Sequence, residues 1–412
     1  MSKMKKVKKV WLRVLLVIVS FIVLLYVVTF VGHRFLFPVP YSDKPTVEPI
    51  SKNGFTLGAA SIDQPSTFEE YVQVVAGQVK HYQENIDMYW PNNPEKNQYL
   101  IAQNLQNKQA VLINPKGEVK EISKQEVSEY GVGFGLNTEG QWAPFEENGI
   151  SGAYIGVIPN NLTNYYSYQR YEHLGTYDQF LSYSHELFHS ITQERWVDAD
   201  ETVDGGAERD ERLEDKEARR TRMLLQVQLK QAISDKKNRD NHTLDALKTY
   251  QTYQEKCEED YEISKVFDRL EGTAYYYELV SSLYAAYPEQ VKNQEDVYNA
   301  LEVLMENDNP AYRSEGAVSE GYSIGGFAGI LLDLKAREDG KDPNEWKVLI
   351  EQTAGASPMT LLEQEYEGNT LPKQEAIPTE EEYQQWLDEY AVITPKSSRA
   401  TIVFDILYGI LF

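Results

Sequence analysis

Residues 185–189 read His-Glu-Leu-Phe-His, an HExxH motif. The surrounding segment, Tyr177 to about Trp196, reads as helix. It has no proline, and Phe180, Leu181, Leu187, Phe188 and Ile191 can anchor it in a core. Two histidines four residues apart share one helix face. Their imidazoles can then reach one metal ion at about 2.0–2.1 Å each, as zinc requires. Glu186 follows the first of them and can point at a water whose pKa falls to roughly 7 on zinc, ready to take its proton. A chain carrying this motif must hold the helix rigidly, one face in a core and the other at a metal.

Such a site needs a third protein ligand. Gln193 to Arg195 supply no further histidine, His33 abuts an apolar run, and His81, His173 and His242 sit in no ligand pattern. A carboxylate is left, and the best candidate is Glu271 in the stretch Arg269 to Glu278. The spacing predicts a helix there, from about Glu262 to Tyr287, stopped by Pro288. Gly272 costs that helix about 1 kcal/mol against alanine. Together with Ala274 it would let this helix approach the HExxH helix closely. Glu278, two turns further on the same face, is the reserve ligand.

HExxH with a distant Glu in an EGxA helix resembles the gluzincin group of zinc metallopeptidases. From about Gly152 to Leu362 the chain is similar to poorly characterised membrane-anchored bacterial metallopeptidase-like proteins. The run of motifs is HExFH at His185–His189, EGxAxY at Glu271–Tyr276 and YxxGxxxGxLLD at Tyr322–Asp333. The resemblance implies a zincin-like fold, with His185, His189 and Glu271 as zinc ligands and Glu186 as general base. Two departures stand out. The ligands His189 and Glu271 are 82 positions apart, far more than in compact gluzincins. Tyr275 also stands where many relatives carry an Asp that orients the first histidine. A metal-bound histidine needs such a partner, so it must come from elsewhere or from Tyr275.

The N-terminus bears on location. Lys3, Lys5, Lys6, Lys8, Lys9 and Arg13 precede an uncharged run from Val14 to Val31, near the minimum length for crossing a bilayer. No A-x-A-like cleavage site precedes Pro38, so an uncleaved signal anchor is expected, its basic end cytoplasmic and the body extracellular. Residues 1–40 hold seven basic residues and no acid, leaving 33 basic against 64 acidic residues beyond them. So acidic a body repels nucleic acid. The single cysteine, Cys257, excludes an intrachain disulfide.

The expected fold class is α+β, a strand-rich N-terminal subdomain before a mainly helical catalytic body, plus one N-terminal transmembrane helix. The segments are a basic stretch 1–13, the anchor 14–31, a proline-rich linker 32–65, a strand-containing subdomain 66–165, a helical zinc-binding core 166–290, a helical subdomain 291–395 and an apolar tail 396–412. A helix is expected over Thr67–Tyr89. Strands are expected at Ala110–Ile113, Gly131–Phe134 and Ala153–Ile158, with turns at Asn114–Gly117 and Pro159–Asn161. Gly152–Ile158, just upstream of the HExxH helix, is either an edge strand that pairs with an extended peptide or an interior strand. Asp198–Glu217 is densely acidic and reads as a solvated loop whose spacing fits no EF-hand. Met223, Leu224, Val227 and Ile233 give the next helix an apolar stripe, and Gly325 and Gly329 are spaced for close helix packing.

The chemistry these residues suit is zinc-dependent hydrolysis of a peptide or protein substrate. Tyr322 is the candidate oxyanion donor, with Tyr275 and Tyr276 in reserve. No GxMEN-like segment is present to hold a substrate's N-terminus, which favours an endopeptidase. The competing class is a non-catalytic surface protein on a degenerate zincin scaffold, binding a peptide or wall polymer. A binding role has no need of Glu186. Oligomeric state is not readable from the sequence.

Overall fold

The structure is a computed structural model that describes residues 20–29, 31, 48–58, 67–104, 109–130, 142–157, 173–197, 215–307 and 317–393. The chain divides into two compact units. One comprises Met1–Asp43, Gly133–Thr138 and Pro395–Phe412. Only residues 20–29 and 31 of it are described, and they are helical, with Phe21 and Leu24 exposed. Among the described residues no helix is long and apolar enough to cross a membrane. Of the expected anchor Val14–Val31, residues 14–19 and 30 lie outside the described residues. So do the strand at Gly131–Phe134, the turn at Pro159–Asn161, most of the acidic segment Asp198–Glu217 and the apolar tail.

The other unit, Lys44–Val132 with Glu139–Thr394, is α+β. It begins with a hairpin inside the expected linker: β1 (Ile50–Lys52) and β2 (Phe55–Leu57) pair around Asn53-Gly54, both at positive φ. That is the backbone of a tight two-residue hairpin turn, which Asn-Gly favours. Leu57 is fully buried, and the Gln290 side chain bonds both the N–H and the carbonyl of Thr56. This part of the linker is therefore docked structure.

Helix α1 (Phe68–Glu84) is capped by Thr67 and buries Tyr71, Val75, Val79 and Tyr82 along one face. A five-stranded mixed sheet follows, built from β3 (Tyr99–Asn104), β4 (Ala110–Ile113), β5 (Val119–Ile122), β6 (Trp142–Glu147) and β7 (Ile150–Val157). Helix α2 (Lys124–Glu129) leaves β5 through a Ser123/Glu126 capping box. The strand order is β5-β4-β3-β7-β6, with β3 and β7 parallel and the other pairs antiparallel. Strand β7 is thus interior, which decides against the edge reading of Gly152–Ile158. Its sequence shows why: Ala153 to Val157 are buried on both faces, as an interior strand requires. A Cβ on Gly152 would also fall 1.9 Å from the Tyr99 carbonyl oxygen of β3. The outer strand on this side is β6, which carries Pro144, a residue that sheets tolerate at edges.

The remainder is helical: α3 (Asp178–Leu187), α4 (Lys216–Ser234), α5 (Arg239–Lys256), α6 (Glu258–Ala286), α7 (Gln294–Asn307), α8 (Ala317–Asp339), α9 (Glu345–Gln352), α10 (Pro358–Glu365) and α11 (Glu380–Ile393). Helix α3 packs against β6, β7 and α6. Helices α6 and α8 meet most closely, through glycine. A Cβ on Gly272 would lie 2.4 Å from Gly325 Cα, and one on Gly325 would lie 1.9 Å from the Asp268 carbonyl oxygen. Gly272 therefore admits α8, not the HExxH helix as its sequence position suggests. Gly325 serves close helix packing as expected, whereas Gly329 abuts the rings of Trp346 and Tyr276.

A buried ion network ties the same helices together. Arg222 of α4 holds Asp268 of α6 through two bonds of 2.6 and 3.2 Å, and Glu320 of α8 at 2.7 Å. Arg219 bonds Glu320 at 2.5 Å and also pairs with Asp260. Removing one partner of such a network strands a charge in the core. The network also corrects the expected apolar stripe of α4. Met223, Leu224 and Val227 are only partly buried, while Arg219, Arg222, Leu225, Leu229 and Ala232 face inward with Ile233. Two arginines occupy the inner face because carboxylates from α6 and α8 meet them there.

Candidate metal centre

The HExxH segment is anchored from below. Phe180, Leu187 and Phe188 are buried, and the Phe188 ring stacks on Tyr277 at 4.6 Å and meets Trp90 at 5.0 Å. The helix is not regular throughout. His185 belongs to α3, but Phe188–Thr192 form a wider π-helical turn, closed by the Gln193 N–H on the Phe188 carbonyl, and Gln193–Arg195 tighten to 3-10. His189 therefore projects from a π turn, a feature frequent at functional sites.

His185, His189 and Glu271 converge as the sequence suggests and form a group able to hold a metal ion. Their facing atoms make a nearly equilateral triangle. His189 Nε2 is 3.0 Å from His185 Nε2, and Glu271 Oε2 is 3.3 Å and 3.2 Å from the two nitrogens. Ligands at about 2.0–2.1 Å on a tetrahedral zinc lie about 3.4 Å apart, so the triangle matches one face of that tetrahedron.

The outward ring nitrogens fix what the inner ones offer. His189 Nδ1 is 2.7 Å from Gln193 Oε1. Gln193 must present its oxygen there, because its nitrogen donates to the Leu270 carbonyl at 2.7 Å and to Thr273 Oγ1 at 2.8 Å. The His189 proton thus sits on Nδ1 and leaves a lone pair on Nε2. His185 Nδ1 lies 3.1 Å from Glu278 Oε2, within ion-pair reach though off the line of an ideal hydrogen bond. A carboxylate only accepts, so it favours the proton on Nδ1 of His185 too. Three lone-pair atoms then face one another with no proton between them, an arrangement that calls for a cation. A proton can fill the role: burial alone would lower the His185 value, but Glu271 and Glu278 outweigh it and push it up to about 10. Burial works against the Glu271 carboxylate, yet the two histidines hold it well below its ordinary value.

Glu278 thus stands as the partner of His185 and not as the reserve ligand, a carboxylate behind the ring from elsewhere on the helix that carries Tyr275. Its signal in the sequence is its spacing, seven residues beyond Glu271 on the same helix face. Gln193, four residues after His189, carries a similar signal.

Glu186 is partly buried. Burial pushes its carboxyl above the ordinary range, against the pull of His185 and His189. Helix α8 brings Tyr322 beside the triangle, its ring parallel to that of His185 within 4° at 5.2 Å. Tyr275 is fully buried and meets Tyr322 edge-on, and the Tyr276 hydroxyl is committed to Asp333, which removes Tyr276 as a donor to the site. A scan of family models and searches of curated proteins and solved structures give no match to this chain.

Proposed function

We propose that the protein is a zinc-dependent peptidase of zincin type, an endopeptidase held at the membrane by its N-terminal segment with its body outside the cell. The observation that carries the reading is the triangle of His185, His189 and Glu271, each imidazole turned inward by an acceptor behind it. These three residues would hold the ion. Bound zinc supplies Lewis acidity, polarising a carbonyl and making water nucleophilic near neutral pH.

The chain's own groups do the rest. Glu186 accepts the proton of the attacking water on its carboxylate and delivers it to the leaving amine nitrogen. Burial raises its carboxyl above the ordinary carboxylate range, which favours holding the proton between the two transfers. Tyr322, packed on His185, is the proposed donor to the developing oxyanion. An extended peptide would add to the sheet at the outer strand β6, beside α3. The absence of a GxMEN-like segment favours internal cleavage, and the lysine cluster before Val14–Val31 supports the anchored topology.

Screening a peptide library with purified protein and Glu186→Gln tests the reading. Glu186→Gln should keep its metal and lose about 10²–10⁴-fold in turnover. A wild type with no turnover above that of Glu186→Gln would favour the non-catalytic peptide- or wall-polymer-binding scaffold instead.

A further inference from the structure

We propose that Glu95 is a positioning residue for the metal centre: through Thr192 it sets the π-helical turn from which His189 projects. The consequence for metal binding rests on the metal reading above, whereas the effect on the turn does not.

Glu95 lies in the loop before β3, 97 positions from Thr192, and is fully buried. Its carboxylate accepts the Thr192 hydroxyl at 2.7 Å, the Tyr277 hydroxyl at 3.1 Å and the Tyr82 hydroxyl. The loop that carries it is pinned. The Glu95 N–H donates to Asn93 Oδ1 at 2.9 Å, the Glu95 carbonyl accepts from Gln83 Nε2 at 3.1 Å, and Asn93 Nδ2 donates to the Ile86 carbonyl at 3.2 Å. Asn93 Nδ2 also donates to the Tyr277 hydroxyl at 2.8 Å, so the tyrosine must pass its own proton on to Glu95 or to Tyr82. Either way the hydroxyl chain terminates on the carboxylate.

Thr192 is the informative partner. Thr221, Thr243 and Thr273 each turn their hydroxyl onto the carbonyl four residues back, the ordinary resting place of a helical threonine. Thr192 instead donates outward to Glu95, and the helix is widened at that point. The next residue, Gln193, is tethered to α6 by the bonds that orient His189. The turn is thus gripped on both sides, by Glu95 and by α6, with His189 between.

The charge balance points the same way. A buried carboxylate is costly without a cation, and among the described residues no Lys, Arg or His bonds Glu95. The side of Glu95 that Thr192 occupies leads to His189, three residues back along the turn. An ion held by His189 would add positive charge on that side.

The test is zinc affinity of the full-length protein, measured by competition with a chromophoric chelator, in Thr192→Val, Glu95→Gln and the double variant. Tyr277→Phe is the control, because it removes a hydroxyl of the same cluster that does not touch the turn. Thr192→Val and Glu95→Gln should each weaken zinc binding about 10–100-fold, as loss of an outer partner does. The double variant should be no weaker than the weaker single, because both act through one contact. Each should alter the visible spectrum of the cobalt-loaded protein, whereas Tyr277→Phe should lower thermal stability and leave affinity within about 2-fold. Wild-type affinity in Thr192→Val, or an equal loss in Tyr277→Phe, would overturn the proposal. If Glu95→Gln fails to fold, Thr192→Val and its control still decide. If the wild type binds neither zinc nor cobalt, the proposed function fails on its own. The crystal structure of Thr192→Val then decides the inference, and an unchanged π turn with His189 in place overturns it.

Discussion

Glu278 Oε2 lies 3.1 Å from Nδ1 of His185, and both side chains are buried. The contact puts a carboxylate behind the first histidine of the motif from a position seven residues past Glu271, two turns along α6. It fixes which nitrogen of His185 faces His189 and Glu271. Replacing Glu278 by Ala should therefore weaken zinc binding about 10–100-fold, while Glu278→Gln, which keeps an acceptor oxygen, should recover part of the loss. Chelator competition reads both. Equal affinity in all three proteins would remove Glu278 from the site.

The crossing of α6 and α8 makes a second prediction. Gly325→Ala would set a methyl 1.9 Å from the Asp268 carbonyl oxygen, a backbone atom that cannot swing aside. The helices must separate, at a cost of about 3 kcal/mol. Because α6 carries Glu271 and α8 carries Tyr322, the site should loosen as well. Urea unfolding measures the first effect, and a stability within 0.5 kcal/mol of wild type, the range of neutral surface changes, would contradict it.

Glu95 gives a pH dependence with a definite sign. Burial pushes its carboxyl up to about 7 from an ordinary 4.5, even though the hydroxyls of Tyr82, Thr192 and Tyr277 pull it back. Between those values the folded protein keeps a proton that the unfolded chain has lost. This contribution is complete below about pH 4.5 and is lost as pH rises through about 7. Glu95→Gln does not titrate, so the stability of metal-free wild type relative to it should fall by up to about 3 kcal/mol between pH 4.5 and 8. Denaturation series at several pH values, with a chelator present, would show the fall. A constant difference would mean that Glu95 stays ionised throughout.

Much of the site is legible in the sequence because it depends on short spacings. His185, Glu186 and His189 follow from one helical segment, Glu271 from a carboxylate beside Gly272 in a second, and β4 from its run of apolar residues. The π turn is not legible. Phe188–Thr192 look like ordinary helix, and what widens them is contact with Glu95, 97 positions away, and with Thr273, 80 positions from Gln193. The inner face of α4 is hidden for a related reason, since an arginine reads as solvated until Asp268 and Glu320 are seen to meet it. The hairpins at Asn53-Gly54 and Asn148-Gly149 do carry a local signal, the Asn-Gly pair that accepts positive φ at both turn residues.

Elemental analysis of the purified full-length protein, beside His189→Ala, tests the central claim most directly. One zinc per chain is expected in the wild type after metal-replete purification, lost in a variant that still folds. No zinc in the wild type, or full occupancy retained in His189→Ala, would contradict the account.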